Sequence, residues 1–167
     1  MMMINIRKLK TKLSVIYWLE FICIPLVPLA FFLFGYPSTL KIATNSYISM
    51  LLHSFILFQG GLFWMYQSKK LVKDENKSMV MLFQFLKIVD LCLITLTPIY
   101  FVFNPSLNFI DTYCSYFFYL FSIIEFIHYY ECQLLYSSVR ELNFVCSRGQ
   151  LKKSRIKRWI AYSSKRI

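Results

Sequence analysis

Four apolar blocks, each close to the length that crosses a bilayer, dominate the sequence and leave few folds open to it. They run from about Leu13 to Phe34, Ser46 to Tyr66, Met79 to Phe103 and Phe109 to Tyr136. A helix rises about 1.5 Å per residue, so about 20 residues cover roughly 30 Å of hydrocarbon. A backbone in lipid must satisfy its own polar groups, which selects helices for segments this long. The expectation is an all-α polytopic membrane protein with four transmembrane helices in an up-down bundle. Composition agrees, since 57% of the 167 residues are hydrophobic and 19% aromatic, against roughly 45–50% apolar usage in soluble domains.

Short connections separate the blocks. GYPSTLKIATN (35–45) carries Gly35 and Pro37, QSKKLVKDENK (67–77) is dense in charge, and FNPSLN (103–108) holds Pro105, a helix stop. Basic residues near helix ends mark the cytoplasmic side. Four of the nineteen (Arg7, Lys8, Lys10, Lys12) precede the first block, four (Lys69, Lys70, Lys73, Lys77) sit in the second connection, and nine follow the fourth block. Only Lys41 and Lys87 lie elsewhere. Both termini are therefore expected in the cytoplasm. The net charge of +11 reads as topology, and no nucleic-acid partner is expected. The first block is longer than a signal-peptide core and lacks a small-residue cleavage site, so it reads as a retained helix. Interfacial aromatics such as Tyr17, Trp18, Tyr36, Trp64, Tyr66 and Tyr136 fit the same boundaries.

The organisation expected is a transmembrane domain over 1–136 and a basic cytoplasmic tail over 137–167. In the tail, Lys152, Lys153, Arg155, Lys157, Arg158 and Trp159 form a segment suited to an anionic leaflet, with the indole inserted among headgroups. The competing reading is a stop-transfer tail whose charge only sets orientation. Five cysteines without a CxxC pair read as small apolar residues. Pro25 and Pro28 predict a bend in the first helix. Four glycines, with Gly60 and Gly61 the one adjacent pair, leave few close helix crossings.

Ionisable groups in hydrocarbon cost roughly 2.5 kcal/mol or more and face a partner or water. Several stand in the blocks, among them Glu20, His53, Lys87, Asp90, Glu125, His128 and Glu131. Helical rise from the nearest cytoplasmic basic residue puts Glu20, Lys87 and Glu131 at a similar depth of about 12–15 Å, with Asp90, Glu125 and His53 deeper. The three-residue spacing of Lys87 with Asp90, and of Glu125, His128 and Glu131, places two polar stripes on helix faces. The principal reading is ion pairing that fixes helix neighbours, with Lys87 neutralised by Asp90, Glu20 or Glu131.

Sharper readings start from the same residues. Glu125 and His128 form an ExxH pair of the kind used in di-iron bundles, but that chemistry wants a second ExxH and two more glutamates, where this sequence has one copy, Glu20 and Asp90. A single metal held by Glu125, His128 and Asp90 or His53, a haem between His53 and His128, and a proton relay through Asp90, Glu125 and His128 stay open. The identity of any metal is unknown from the sequence, and no resident cofactor is expected. Phosphate-binding loops, GxSxG and HExxH are absent, and no catalytic residue stands out.

The string IEFIHYYECQLLY (124–136), followed by a polar turn and a basic tail, resembles the last helix of uncharacterised small four-helix integral membrane proteins of low-GC bacteria. The resemblance covers about 30 residues; it implies a bacterial cell-membrane location and the four-helix fold, and no activity. The functional expectation is a non-enzymatic multi-pass membrane subunit or interaction module. Its partners would be the lipid bilayer, anionic headgroups and another membrane protein or a second copy. The alternative is a small proton or ion transporter, or a haem or metal redox protein, built on Glu125 and His128.

Overall fold

The structure, a computed structural model, describes residues 6–35, 44–70, 77–106, 109–134, 147 and 151–164. Much of the first two connections, including Lys41, lies outside the described residues, as do tail positions 135–146, 148–150 and 165–167. The elements are α1 (Ile6–Gly35), α2 (Thr44–Lys70), α3 (Lys77–Phe103), α4 (Phe109–Phe126) with a π-helical turn (Ile127–Glu131), and α5 (Arg155–Ser164). Among the described residues there is no strand, only an antiparallel bridge between Cys132 and Lys153.

Three helical segments are long and apolar enough to cross a membrane: Thr44–Lys69, Lys77–Phe103 and Phe109–Glu131. In α1 the described apolar run, Leu13–Leu26, is shorter. Contacts fix the helix directions. Phe21 of α1 lies against Phe58 of α2, Phe63 of α2 against Phe83 of α3, and Phe101 of α3 against Tyr116 of α4. Successive helices therefore alternate, and α2 runs parallel to α4. The starts of α1 and α3 and the ends of α2 and α4 share one end of the molecule, the basic end.

The four helices are not equivalent. The apolar stretch of α2 is 56% buried, against 28% in α4 and 17% in α3, so α2 is the central post. Most of the surface of α3, including Phe85, Ile88, Leu96 and Val102, points outward. An apolar groove of about 540 Å³ runs between α1 and α3 over α2, past Ile24, Leu51, Phe58 and Leu93.

Prolines shape the elements in different ways. α1 continues as helix through Pro25 and Pro28. In α3, Pro98 has no N–H to offer the carbonyl of Ile94, four residues earlier. Tyr119 of α4 donates its hydroxyl to that carbonyl at 3.0 Å, so the lost helical bond becomes a link between helices. Asn104 closes the last turn of α3 with an N–H to the Tyr100 carbonyl at 2.9 Å, and Pro105 comes next as the stop.

Two segments differ from the sequence expectation. The last apolar block reads as one helix to Tyr136, but regular α-helix ends at Phe126, and Cys132, beyond the π turn, is extended (φ −132°, ψ 136°). There Gln133 N–H donates to the Lys152 carbonyl at 2.8 Å and Ser154 N–H to the Glu131 carbonyl at 3.0 Å. These bonds satisfy carbonyls and amides at the helix end and turn the tail back. The second difference is α5, a segment that reads as a leaflet-bound tail. Ile156, Trp159 and Ile160 recur at helical spacing, and this stripe packs into the core of the bundle instead.

Candidate functional site

The polar groups of the bundle gather at the basic end, where α1, α2, the π turn and α5 meet. Gly60 makes the meeting close. A Cβ built there would collide with the Tyr129 ring, lying 2.5 Å from its hydroxyl and 2.7 Å from Glu20 Oε2. Only a glycine lets the Tyr129 phenol cross α2 and donate to the Glu20 carboxylate. One residue on, Phe21 lies over Gly61, whose added Cβ would meet the ring at 3.2 Å. The adjacent glycine pair is thus the α1–α2 crossing. Glu125, half-buried, stands beside Tyr129 and close to Glu20, so two carboxylates flank one phenol.

The π turn decides where its side chains go. One residue inserted in a helical turn rotates the positions after it, and the consecutive Tyr129 and Tyr130 are both buried. Tyr129 reaches α1 across Gly60. Tyr130 donates to Gln59 Oε1 at 2.6 Å, and Gln59 Nε2 donates to Asp90 Oδ1 at 2.7 Å. That relay joins α4, α2 and α3 inside the core. Replacing Gln59 with leucine strips Asp90 of its donor and Tyr130 of its acceptor. We expect it to cost about 2 kcal/mol, read as an earlier unfolding midpoint in denaturing-micelle titration.

Glu131 closes the turn. It accepts from Lys87 of α3 at 2.5 Å and, through its other oxygen, from Lys157 of α5. The sequence reading offers three partners for Lys87; the geometry selects Glu131. All three side chains are about a third exposed, so the pairing is worth little in Coulomb energy and more as register. Glu131→Gln is expected to cost about 1 kcal/mol and to change the salt dependence of the unfolding midpoint.

The sequence reading places Glu125, His128 and Glu131 on one stripe, and the π turn spreads them. Glu125 lies by Glu20, Glu131 holds two lysines, and His128 faces a cavity. His128 Nδ1 accepts the Leu134 N–H at 3.1 Å, so the neutral ring carries its proton on Nε2. A metal at Nε2 would need that proton on Nδ1, where the Leu134 N–H already points. Among the described residues no three His, Cys, Asp or Glu side chains converge as metal ligands. His53 packs against Phe118 and Phe121, about 10 Å along α4 from His128, and the two imidazoles do not share a gap.

The cavity beside His128 measures about 260 Å³. Its walls include Glu20 of α1, Trp64 of α2, His128 and Tyr129 of the π turn, Gln133, and Arg155 of α5. The Arg155 guanidinium sits 5.0 Å from the centre of the Trp64 ring, a cation–π contact. Of the expected surface-binding residues, Lys153, Arg155 and Arg158 are exposed, Lys152 is half-buried and Lys157 engages Glu131. Trp159 is 9% exposed, boxed by Phe63, Tyr66 and Phe83 with ring centres 5.6–5.9 Å away.

A second polar cluster, at the opposite end, falls outside the sequence-derived set. Asp111 Oδ1 accepts from the Ser46 hydroxyl at 2.5 Å and from the Ser46 N–H at 3.2 Å, and Asn45 donates to the Asn104 carbonyl at 2.8 Å. α2 and α4 both begin here, so one carboxylate serves two helix N-termini. Asp111 standing three residues into a helix, with Ser46 in the first turn of another, is the signal that could have found it. Comparison with protein-family models, curated proteins and solved structures gives no match for the chain.

Proposed function

We propose that the chain is a non-enzymatic, multi-pass membrane protein of the bacterial cell membrane, acting as a subunit or interaction module. In this reading α1 to α4 all cross the bilayer and the basic end faces the cytoplasm. The observation that carries it is the pairing of the intramembrane polar groups across elements: Glu20 with Tyr129, Asp90 with Gln59, and Glu131 with Lys87 and Lys157. Groups spent in this way fix neighbours and leave little for turnover. The outward apolar side of α3 is where bilayer lipid, another membrane protein or a second copy would lie. Co-purification from native membranes in mild detergent tests the proposal. A stoichiometric partner or a dimer supports it, and a monomer recovered alone contradicts the subunit role.

One observation favours a second reading, proton or ion passage: Glu20 and Glu125 flank Tyr129 at the edge of the cavity that His128 lines. A proteoliposome pH-flux assay decides it. Flux abolished by Glu125→Gln and His128→Ala would support passage, and no flux above empty liposomes would end it.

A further inference from the structure

The cavity at the basic end brings charged and polar side chains of both signs to one place. It is the place where elements distant in sequence meet, with α1, α2, the π turn and α5 each supplying wall. Its polar groups carry both signs. The Glu20 carboxylate lies on one side, half-buried and held in place by Tyr129. The Arg155 guanidinium lies on another, fixed over the Trp64 ring. His128 adds a donor of fixed direction, because the Leu134 N–H occupies Nδ1 and the ring proton sits on Nε2. Ile16, Phe63 and Ile156 supply apolar wall, and Gln133 adds a further polar residue.

Such a set excludes most ligands. A simple anion would meet Glu20, and a simple cation would meet Arg155. A group with a phosphate at one end and a primary amine at the other satisfies both. Phosphate oxygens take bonds from Arg155 and His128, and an ammonium gives them to Glu20 beside the indole of Trp64. The volume, about 260 Å³, suits a headgroup and not a whole lipid. Position points the same way. Phe63 and Trp64 lie between one and two turns inside Lys69, where the apolar stretch of α2 ends, and the apolar walls offer a path for attached chains.

We infer that the cavity between α1, α2, the π turn and α5 binds a phosphate–amine group, as carried by the headgroup of an aminophospholipid. The inference rests on the membrane-spanning reading. α5 contributes Arg155 and Ile156, so binding also requires the tail helix to be docked.

Native mass spectrometry of the full-length protein in mild detergent tests this with phosphatidylethanolamine, phosphatidylglycerol and free phosphoethanolamine as probes. The expected result is one bound phosphatidylethanolamine per chain, retained at least tenfold better than phosphatidylglycerol. Arg155→Met and Glu20→Gln should each lower retention by about tenfold, a size typical of losing one charge-assisted hydrogen bond. Arg155 is exposed, so Arg155→Met should stay folded under the conditions of the measurement although it loses the contact over Trp64, and Arg155→Lys should restore part of the binding. Displacement of the lipid by free phosphoethanolamine would assign the same chemistry to a soluble ligand; its failure to compete would assign the site to lipid. Equal retention of the two lipids, or retention unchanged in both variants, overturns the inference. Resistance of the protein to carbonate extraction reports the membrane-spanning reading separately.

Discussion

Trp159→Ala is expected to destabilise the protein by about 4 kcal/mol, within the range of about 3–5 kcal/mol found when a buried tryptophan is cut to alanine. The indole is enclosed by Phe63, Tyr66 and Phe83, and these belong to α2 and α3, so its loss opens a cavity where three helices meet. The same change should loosen α5, which would then be held by Ile156, the Lys157–Glu131 pair and Arg155 over Trp64. Trypsin should accordingly cut the variant near Lys157 and Arg158 under conditions that leave the wild type whole. Trp159→Phe should keep most of the stability. An alanine variant with an unchanged midpoint would mean that the tail lies elsewhere, on the leaflet as its charge alone indicates.

Gly60→Ala is expected to cost about 3 kcal/mol. The added methyl would fall 2.5 Å from the Tyr129 hydroxyl and 2.7 Å from Glu20, and overpacking of this kind costs about 1–3 kcal/mol by itself. Moving the phenol away also breaks its bond to the Glu20 carboxylate, adding about 1.5 kcal/mol. Tyr129 is 6% exposed and cannot swing into open space. Combining Gly60→Ala with Tyr129→Leu should therefore cost clearly less than the sum of the single changes, since the second removes the atoms with which the first collides. Additive costs in unfolding titrations would show that α1 and the π turn do not meet at Gly60.

Much of the fold is legible because it derives from one periodicity and one length. The apolar blocks mark α2, α3 and the start of α4 to within a few residues, and Pro105 marks the end of α3, but the last block runs ten residues past Phe126, where α4 ends. What the sequence hides is anything set by a change of helical geometry. Glu125, His128 and Glu131 stand three apart and promise a single stripe, but the π turn sends each to a different neighbour. Gln59 and Tyr130 carry no charge to draw notice, yet they make the link between α4 and Asp90. Tail composition shows one face of α5 and hides the other: the basic residues announce a surface, while Ile156, Trp159 and Ile160 pack against the hydrophobic core. That Lys87 needs a carboxylate partner is legible from depth, because a lysine in that region must find one, but the choice of Glu131 over Asp90 and Glu20 comes from the geometry.

That the polar groups paired between helices act as fasteners is tested most directly by a double-mutant cycle between Glu20 and Tyr129, using Glu20→Leu and Tyr129→Phe in unfolding from mixed micelles. Fasteners predict a coupling of about 1.5 kcal/mol, the two single changes together costing more than the double. Changes that simply add, to within about 0.3 kcal/mol, would contradict the account and place the purpose of Glu20 outside the packing of the bundle.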